Sequence, residues 1–471
     1  DQAMKEFPEP RRKELQEQYR KMHRLYWDAR QKYADFLQQT DWELFRLVVP
    51  MDPVITVAPD VLFFECFSAD ESSYACLTVG RDAFRSEEDV ELGTTNVDYS
   101  MELYEHFQEL RSYRETHFSV DPAGFEVRTA GGSADGYFEE KIDLPPSWLR
   151  GFMQLQSAMA LPMRKVVLGR EGVYNILSFL KRNRARKSPR AVRFELEPGK
   201  PVGVVLEPFE QRITIHGRTY EGHRAEVIRV WGRDRLQVLA RLLPLLEAAE
   251  VYLLGTGLPS FWVMHMGDMR LTLGLSGWTK NDWTGPSALD QVMPPAEPTQ
   301  ELMGKIAAAF RSSPSLTFSE VVRKTGGQPP YVAAGLNRLA LLGQVIHDMP
   351  VKLYRWREIL PVALSMEQMG PENPETAAAR EMIRKQQATV TRDETTPTGM
   401  RALSGNVPER PTDILLDKDN KIVRGKCTCS YFYQSGLRRG PCRHMQTLRG
   451  VALSGGGQPS MEQWFAEFAE V

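Results

Sequence analysis

Four residues near the C-terminus, Cys427, Cys429, Cys442 and His444, follow the order C-x-C, twelve intervening residues, C-x-H. Three soft thiolates and one imidazole are the donor set of a closed tetrahedral Zn²⁺ site. The chain has 471 residues but only 5 cysteines and 8 histidines. Three of those cysteines and one histidine fall between positions 427 and 444, which favours metal ligation over a set of unrelated structural thiols. One zinc ion is expected. With all four positions filled by protein, no position is left open for an activated water, so the role is structural. Asp417 and Asp419 do not begin a calcium loop, because Ile422 and Thr428 stand where that loop needs Gly and Glu.

The elements that must position these ligands can be read nearby. Thr412–Leu416 reads as a strand, Asp417-Lys418-Asp419-Asn420 as a turn and Lys421–Cys427 as a second strand. Gly440-Pro441 leads into a helix from Arg443 to Leu453. The first ligand pair then ends a hairpin and the second opens a helix. This spacing and ββα setting resemble the SWIM zinc finger, over residues 412–455. The wording G-T-G-L-P-S-F-W at 255–262 and the Trp-rich end at Gly277–Trp283 also look like the larger bacterial SWIM-containing proteins. The resemblance implies a bacterial, cytoplasmic protein of a multi-component system. A MoxR-type AAA ATPase and a von Willebrand A-domain (vWA) protein are its implied partners.

The surroundings of the ligands are basic. Lys421, Arg424, Lys426, Arg438, Arg439, Arg443 and Arg449 occur with no Asp or Glu between 421 and 449, and Tyr431, Phe432 and Tyr433 are interleaved with them. Basic residues mixed with aromatics suit phosphate contact and base stacking. An acidic protein surface would satisfy the same charge. Lys421, Arg424, Lys426, Tyr431, Arg438, Arg439, Arg443 and Arg449 are therefore the candidate binding residues for DNA, RNA or a protein partner.

Composition bounds the rest. The net charge of −2 excludes a globally basic nucleic-acid binder, so any such surface is local. Sparse, odd-numbered cysteines argue against a disulfide framework and for a reducing compartment. Cys66 and Cys76 read as buried structural thiols. Residues 1–35 lack the apolar core of a secretory signal, and no apolar run is long enough for a membrane helix. A cytoplasmic location without membrane association is expected.

Along the chain the reading is an α+β multidomain protein. Residues 1–50 carry a long helix at 9–39, with Leu15, Tyr19, Met22, Tyr26, Ala29, Tyr33 and Phe36 in a coiled-coil-like stripe. Residues 51–190 read as mixed α/β: strands from Val54, a helix near Met101–Glu115 and two helices in 147–184. Lys181–Arg190 carries six basic residues and no acidic one. It is either a solvated helix end and linker or a phosphate-contacting arm. Residues 191–283 read as an α/β domain with a helix capped by Asp234. Pro- and Ser-rich residues 284–300 read as a linker. Residues 301–360 read as winged-helix-like, with Thr317 and Glu320 as a capping box and Lys352, Arg355 and Arg357 in the wing. Residues 361–411 hold a helix near Glu375–Gln387 and a polar Thr-rich linker, 412–455 the finger, and 456–471 a tail or short helix.

No P-loop, H-E-x-x-H or G-x-S-x-G motif occurs. The expected function is a zinc-binding, non-enzymatic nucleic-acid-binding subunit, DNA before RNA. Two alternatives stay open: an adaptor recruiting partners to a MoxR-type ATPase, and an enzyme whose scattered site lies in 54–283.

Overall fold

The computed structural model describes residues 52–469 apart from 69, 87–89, 130–136, 143, 145, 187–188, 278–282, 284–291, 360–373, 398, 409, 418–421, 438–439 and 455–459, and scattered positions from 18 to 40. Residues 1–51 with 68–70 form one compact unit and the remainder of the chain another. In the first unit the described positions from 18 to 40 are helical, and the rings of Tyr33 and Phe36 stack at 6.5 Å. Leu15, Tyr19 and Tyr26 of the expected stripe lie outside the described residues.

The second unit begins with β1 (Val54–Val57), β2 (Val61–Phe67), β3 (Ser73–Gly80) and β4 (Gly93–Asn96). Helix α1 (Met101–Gln108) is capped by Ser100, whose hydroxyl accepts from the Leu103 N–H at 3.1 Å. It ends short of the expected Glu115. Next come β5 (Thr116–Asp121), β6 (Gly124–Thr129) and β7 (Tyr137–Glu140), a meander the sequence reading missed. Helix α2 (Pro146–Met159), β8 (Arg164–Gly169) and α3 (Arg170–Arg182) follow, so a strand separates the two helices expected in 147–184. Strands β9 (Val192–Leu196), β10 (Pro201–Leu206), β11 (Gln211–Thr219) and β12 (Glu226–Val230) make a four-stranded antiparallel sheet. The segment after Asp234 is a 3-10 helix, Arg235–Leu242, and Asp234 makes no capping bond. Pro244, two residues beyond it, cannot donate an N–H to prolong a helix. The series closes with β13 (Ala248–Leu253), β14 (Ser260–Met266) and β15 (Met269–Leu275).

Strand order corrects the linear reading. One eight-stranded sheet runs β4-β1-β2-β3-β15-β14-β13-β8, so strands from 51–190 and 191–283 share a single sheet. The joint is β3 against β15, antiparallel, with Leu77 opposite Leu271. Such a pairing across two hundred positions leaves no local trace. One face buries Phe67, Tyr74, Phe261 and Val263 against α2, which contributes Phe152. The other buries Leu168, Val251, Trp262 and Leu273 against α3 and the β9–β12 sheet.

Residues 300–359 supply α4 (Gln300–Ser312), β16 (Ser315–Thr317), α5 (Phe318–Thr325), α6 (Pro329–Leu341), β17 (Val345–Asp348) and β18 (Leu353–Trp356). Both capping-box bonds are present: Glu320 N–H to Thr317 Oγ1 at 3.3 Å and Thr317 N–H to Glu320 Oε2 at 2.8 Å. Gly326 ends α5 at φ 61°. Helix α6 packs on α2. Asn337, 1% exposed, donates to the Ser157 carbonyl at 2.8 Å and to its hydroxyl at 3.0 Å. Ala333 and Ala334 are buried in the same core.

Of the expected wing cations, Lys352 is exposed, but Arg355 and Arg357 are buried. Arg355 pairs with Asp348 (3.0 Å) and Asp60 (2.9 Å), and Arg357 pairs with Glu65, which also accepts from Tyr74 Oη at 2.6 Å. Burial inside proteins is tolerated for guanidinium groups when carboxylates meet them, and these three carboxylates do that.

Candidate metal centre and its surface

The C-terminal module opens with α7 (Pro374–Arg384), then β19 (Thr389–Thr395), β20 (Arg401–Val407), β21 (Arg410–Leu416) and β22 (Ile422–Cys427), paired in that order in one antiparallel sheet. Helices α8 (Ser430–Ser435) and α9 (Arg443–Ser454) complete it. The polar stretch before Thr412 is thus two strands, not a linker. Its Thr, Arg and Asp side chains hide it, because β19 is an edge strand whose residues are nearly all exposed. Inward-facing Leu403, Val407, Ile414 and Leu416 meet Met445 and Leu448 of α9.

The four expected ligands converge at one end of this core. Their donor atoms all lie within 4.8 Å of one another, and all four residues are buried. Cys427 ends β22, and Cys429 caps α8, its sulfur accepting from the Phe432 N–H at 3.4 Å. Cys442 and His444 flank the first residue of α9. A tetrahedron with Zn–S of about 2.3 Å has edges of about 3.8 Å. The Cys427 Sγ to His444 Nδ1 separation of 3.6 Å matches such an edge. The cluster is compatible with one structural zinc.

Without a cation the arrangement is electrostatically unfavourable. Burial, together with the neighbouring Cys427 and Cys429, pushes the Cys442 thiol up to about 12, against the opposing hydrogen bond from the Met445 N–H. Burial and then Arg410 and Arg443 hold His444 below the usual imidazole value. Three thiolates cannot share this space unless a metal charge offsets them.

Supporting contacts come from residues the sequence reading missed. Glu375 of α7 accepts from the Arg443 backbone N–H (2.8 Å) and from its guanidinium (2.6 and 3.1 Å), so α7 grips the first turn of α9 beside two ligands. Burial pushes Glu375 up, but the bonds from Arg443 outweigh it and hold this carboxylate below its ordinary value. Thr412 Oγ1 lies 3.9 Å from Cys427 Sγ. Gly425 has no side chain because Met445 occupies that space: a Cβ there would lie 2.7 Å from Met445 Cε and 3.2 Å from the Asp413 carbonyl. Gly425→Val should therefore displace Met445 and destabilise this module by about 1–3 kcal/mol, the usual cost of overpacking. Denaturation followed by near-UV absorbance of a cobalt-substituted sample would read it, and an unchanged midpoint would count against this packing.

The basic surface is smaller than the sequence reading made it. Arg443 is committed to Glu375. Lys426 stands directly across the ladder from Asp413. Arg449 is half-buried, and burial lowers its pKa while Asp417 raises it. These acids lie outside the 421–449 window, so local counting missed them; a 417–420 turn alone would set Asp413 opposite Arg424, whereas the ladder, with its register shift between Leu415 and Leu416, brings Lys426 there instead. Arg424 and Lys426 are exposed. Lys421, Arg438 and Arg439 lie outside the described residues. Tyr431 is half-buried against the module core, whereas Tyr433 is 90% exposed.

No family model matches the chain, and no curated protein matches it. Among solved structures it is similar to proliferating cellular nuclear antigen from Entamoeba histolytica, with 11% identity over 49% of this chain and 90% of that one at TM-score 0.37. PCNA from Thermococcus kodakaraensis gives 12% identity, 48% and 90% coverage and 0.36. A. fulgidus PCNA bound by the C-terminal region of FEN-1 gives 15%, 50% and 92%, and 0.35. At these identities and scores the similarity carries no functional weight.

Proposed function

We propose that the chain is a zinc-stapled, non-enzymatic subunit that binds nucleic acid. The observation that carries the zinc half is the closed Cys427–Cys429–Cys442–His444 cluster, whose four protein donors leave no site for metal-activated water. The SWIM-like spacing and the order strand, strand, ligand helix support reading residues 412–455 as a finger of that type. For binding, exposed Arg410 and Arg424 share this module with the outstanding ring of Tyr433. The test is binding of the full chain to labelled DNA and RNA across a salt series. A plot of log affinity against log salt should fall with a slope of several units. Flat or absent binding at low salt overturns the reading.

The adaptor reading is second, and one observation favours it. The order α4-β16-α5-α6-β17-β18 supports a winged helix at 300–359, yet its third helix and its Arg355 are occupied within the molecule. A helix buried on α2 cannot enter a major groove. That winged helix works as a protein dock. An adaptor would bind an acidic protein partner, of which the MoxR-type ATPase or vWA protein implied by the resemblance is one form, and would show no salt-dependent nucleic-acid binding.

A further inference from the structure

We propose that the main nucleic-acid contact is not the zinc module but the exposed face and C-terminal end of α3, and that it takes a single strand. This rests on the nucleic-acid reading above and names where that ligand sits.

Helix α3 buries Val173, Ile176, Leu177 and Leu180. Its opposite face presents Tyr174, Asn175, Ser178, Lys181 and Arg182, spaced three, four and seven apart and therefore contiguous. Beyond the helix, Arg184 and Arg186 are also exposed. None of Lys181, Arg182, Arg184 and Arg186 has an ion-pair or hydrogen-bond partner among the described residues, in contrast to Arg443 of the zinc module. Four unpaired cations within six positions repel one another unless an anion lies against them.

The segment that carries them is held in place. Asn183 closes the helix with its side-chain amide on the Phe179 carbonyl at 3.0 Å, and its own carbonyl accepts from Arg233 at 2.8 Å. Ala185 is buried between the two exposed arginines. The arm is thus pinned by its backbone while its charges face solvent.

Aromatic rings stand beside the charges. Tyr174 is 52% exposed and Phe209 44% exposed, and Phe209 meets Phe179 edge-on at 5.6 Å. A groove of about 380 Å³ runs between α3 and β11, bounded by Tyr174, Phe179, Arg182, Asn183, Gln211 and Ile213. Cations that follow a phosphate backbone next to rings on which unpaired bases stack are the recognition pattern of single strands. A duplex keeps its bases stacked inside and would leave both rings unused. An acidic protein would answer the charges but gives no reason for exposed rings beside amide-lined space.

The test compares the full-length wild type with K181A/R182A/R184A/R186A, with Y174A/F209A, and with the zinc-module variant R410A/R424A. Probes are labelled 20-nucleotide oligo-dT and oligo-U and a 20-base-pair duplex. All changes are at exposed positions, and zinc content and circular dichroism check the fold. Removing four phosphate contacts should lower the salt slope by about three on single strands. Losing both rings should weaken single-strand binding roughly tenfold or more with the slope unchanged. If the wild type binds and only R410A/R424A loses affinity, the α3 site is wrong while the nucleic-acid reading stands. Equal or tighter duplex binding, or indifference to Y174A/F209A, overturns the single-strand assignment. If the wild type binds none of the probes at low salt, both readings fall, and an acidic protein becomes the ligand for these cations.

Discussion

Cys442→Ser is expected to remove the zinc and unfold residues 374–454 while the eight-stranded sheet survives. Wild-type protein should hold about one zinc per chain. Structural zinc in small modules is worth ~10–16 kcal/mol apparent at neutral pH. Losing one of four donors therefore exceeds anything the module's own core can replace, since Cys427, Cys429 and Cys442 themselves form part of that core. Chelation of the wild type should have the same result. The expected readout is new proteolytic cleavage from α7 through α9, a wider segment than 412–455, because β19, β20 and α7 share the sheet and the helix contacts. Undiminished zinc in the variant would remove Cys442 from the ligand set. A fully protected segment after chelation would mean that the apolar core alone suffices.

The second large effect is expected at Arg357. Its side chain is 1% exposed and meets Glu65, which is 0% exposed and also bonded by Tyr74. Arg357→Met leaves a buried carboxylate without its cation, which costs about 3–5 kcal/mol. The loss should appear as a lower denaturation midpoint of the 52–359 body with zinc content unchanged. Replacing both partners, Glu65→Gln with Arg357→Met, should recover most of it, because no uncompensated charge remains. A single variant as stable as wild type would show that this pair does not hold the 300–359 elements against β2. The same variant should leave binding to single strands unaffected, since α3 lies on the opposite side of the sheet core.

What was legible in the sequence was short-range. The four metal donors lie within one turn-strand-helix passage, and their spacing identified them. Caps behave similarly: Thr317 and Glu320 are three apart and make both expected bonds. Long-range partners were not legible. Arg355 and Arg357 look like wing cations until Asp60 and Glu65, nearly three hundred residues earlier, are found against them. Arg443 looks free until Glu375 is placed. Strands β19 and β8 were lost for different reasons. One is an exposed edge without apolar alternation, and the other is a short strand abutting a helix that begins at the next residue. Charge counting along the chain therefore missed the acids that meet Arg443 and face Lys426.

The last helix, α10 (Met461–Ala469), changes what losing the metal would mean. It returns to the part of the chain before the zinc module: Trp464 Nε1 donates to the Val292 carbonyl at 3.0 Å, and Phe465 packs against Phe318 of α5 at 5.9 Å between ring centres. The zinc module is consequently an insertion moored at both ends, not a pendant tail. Demetallation would turn it into a closed loop of roughly one hundred residues, and loop-closure entropy grows only slowly with such length. The moorings would hold. The ligands lie between positions 427 and 444, so once a first donor captures zinc from solution the others close on it intramolecularly, within a loop whose two ends are already fixed.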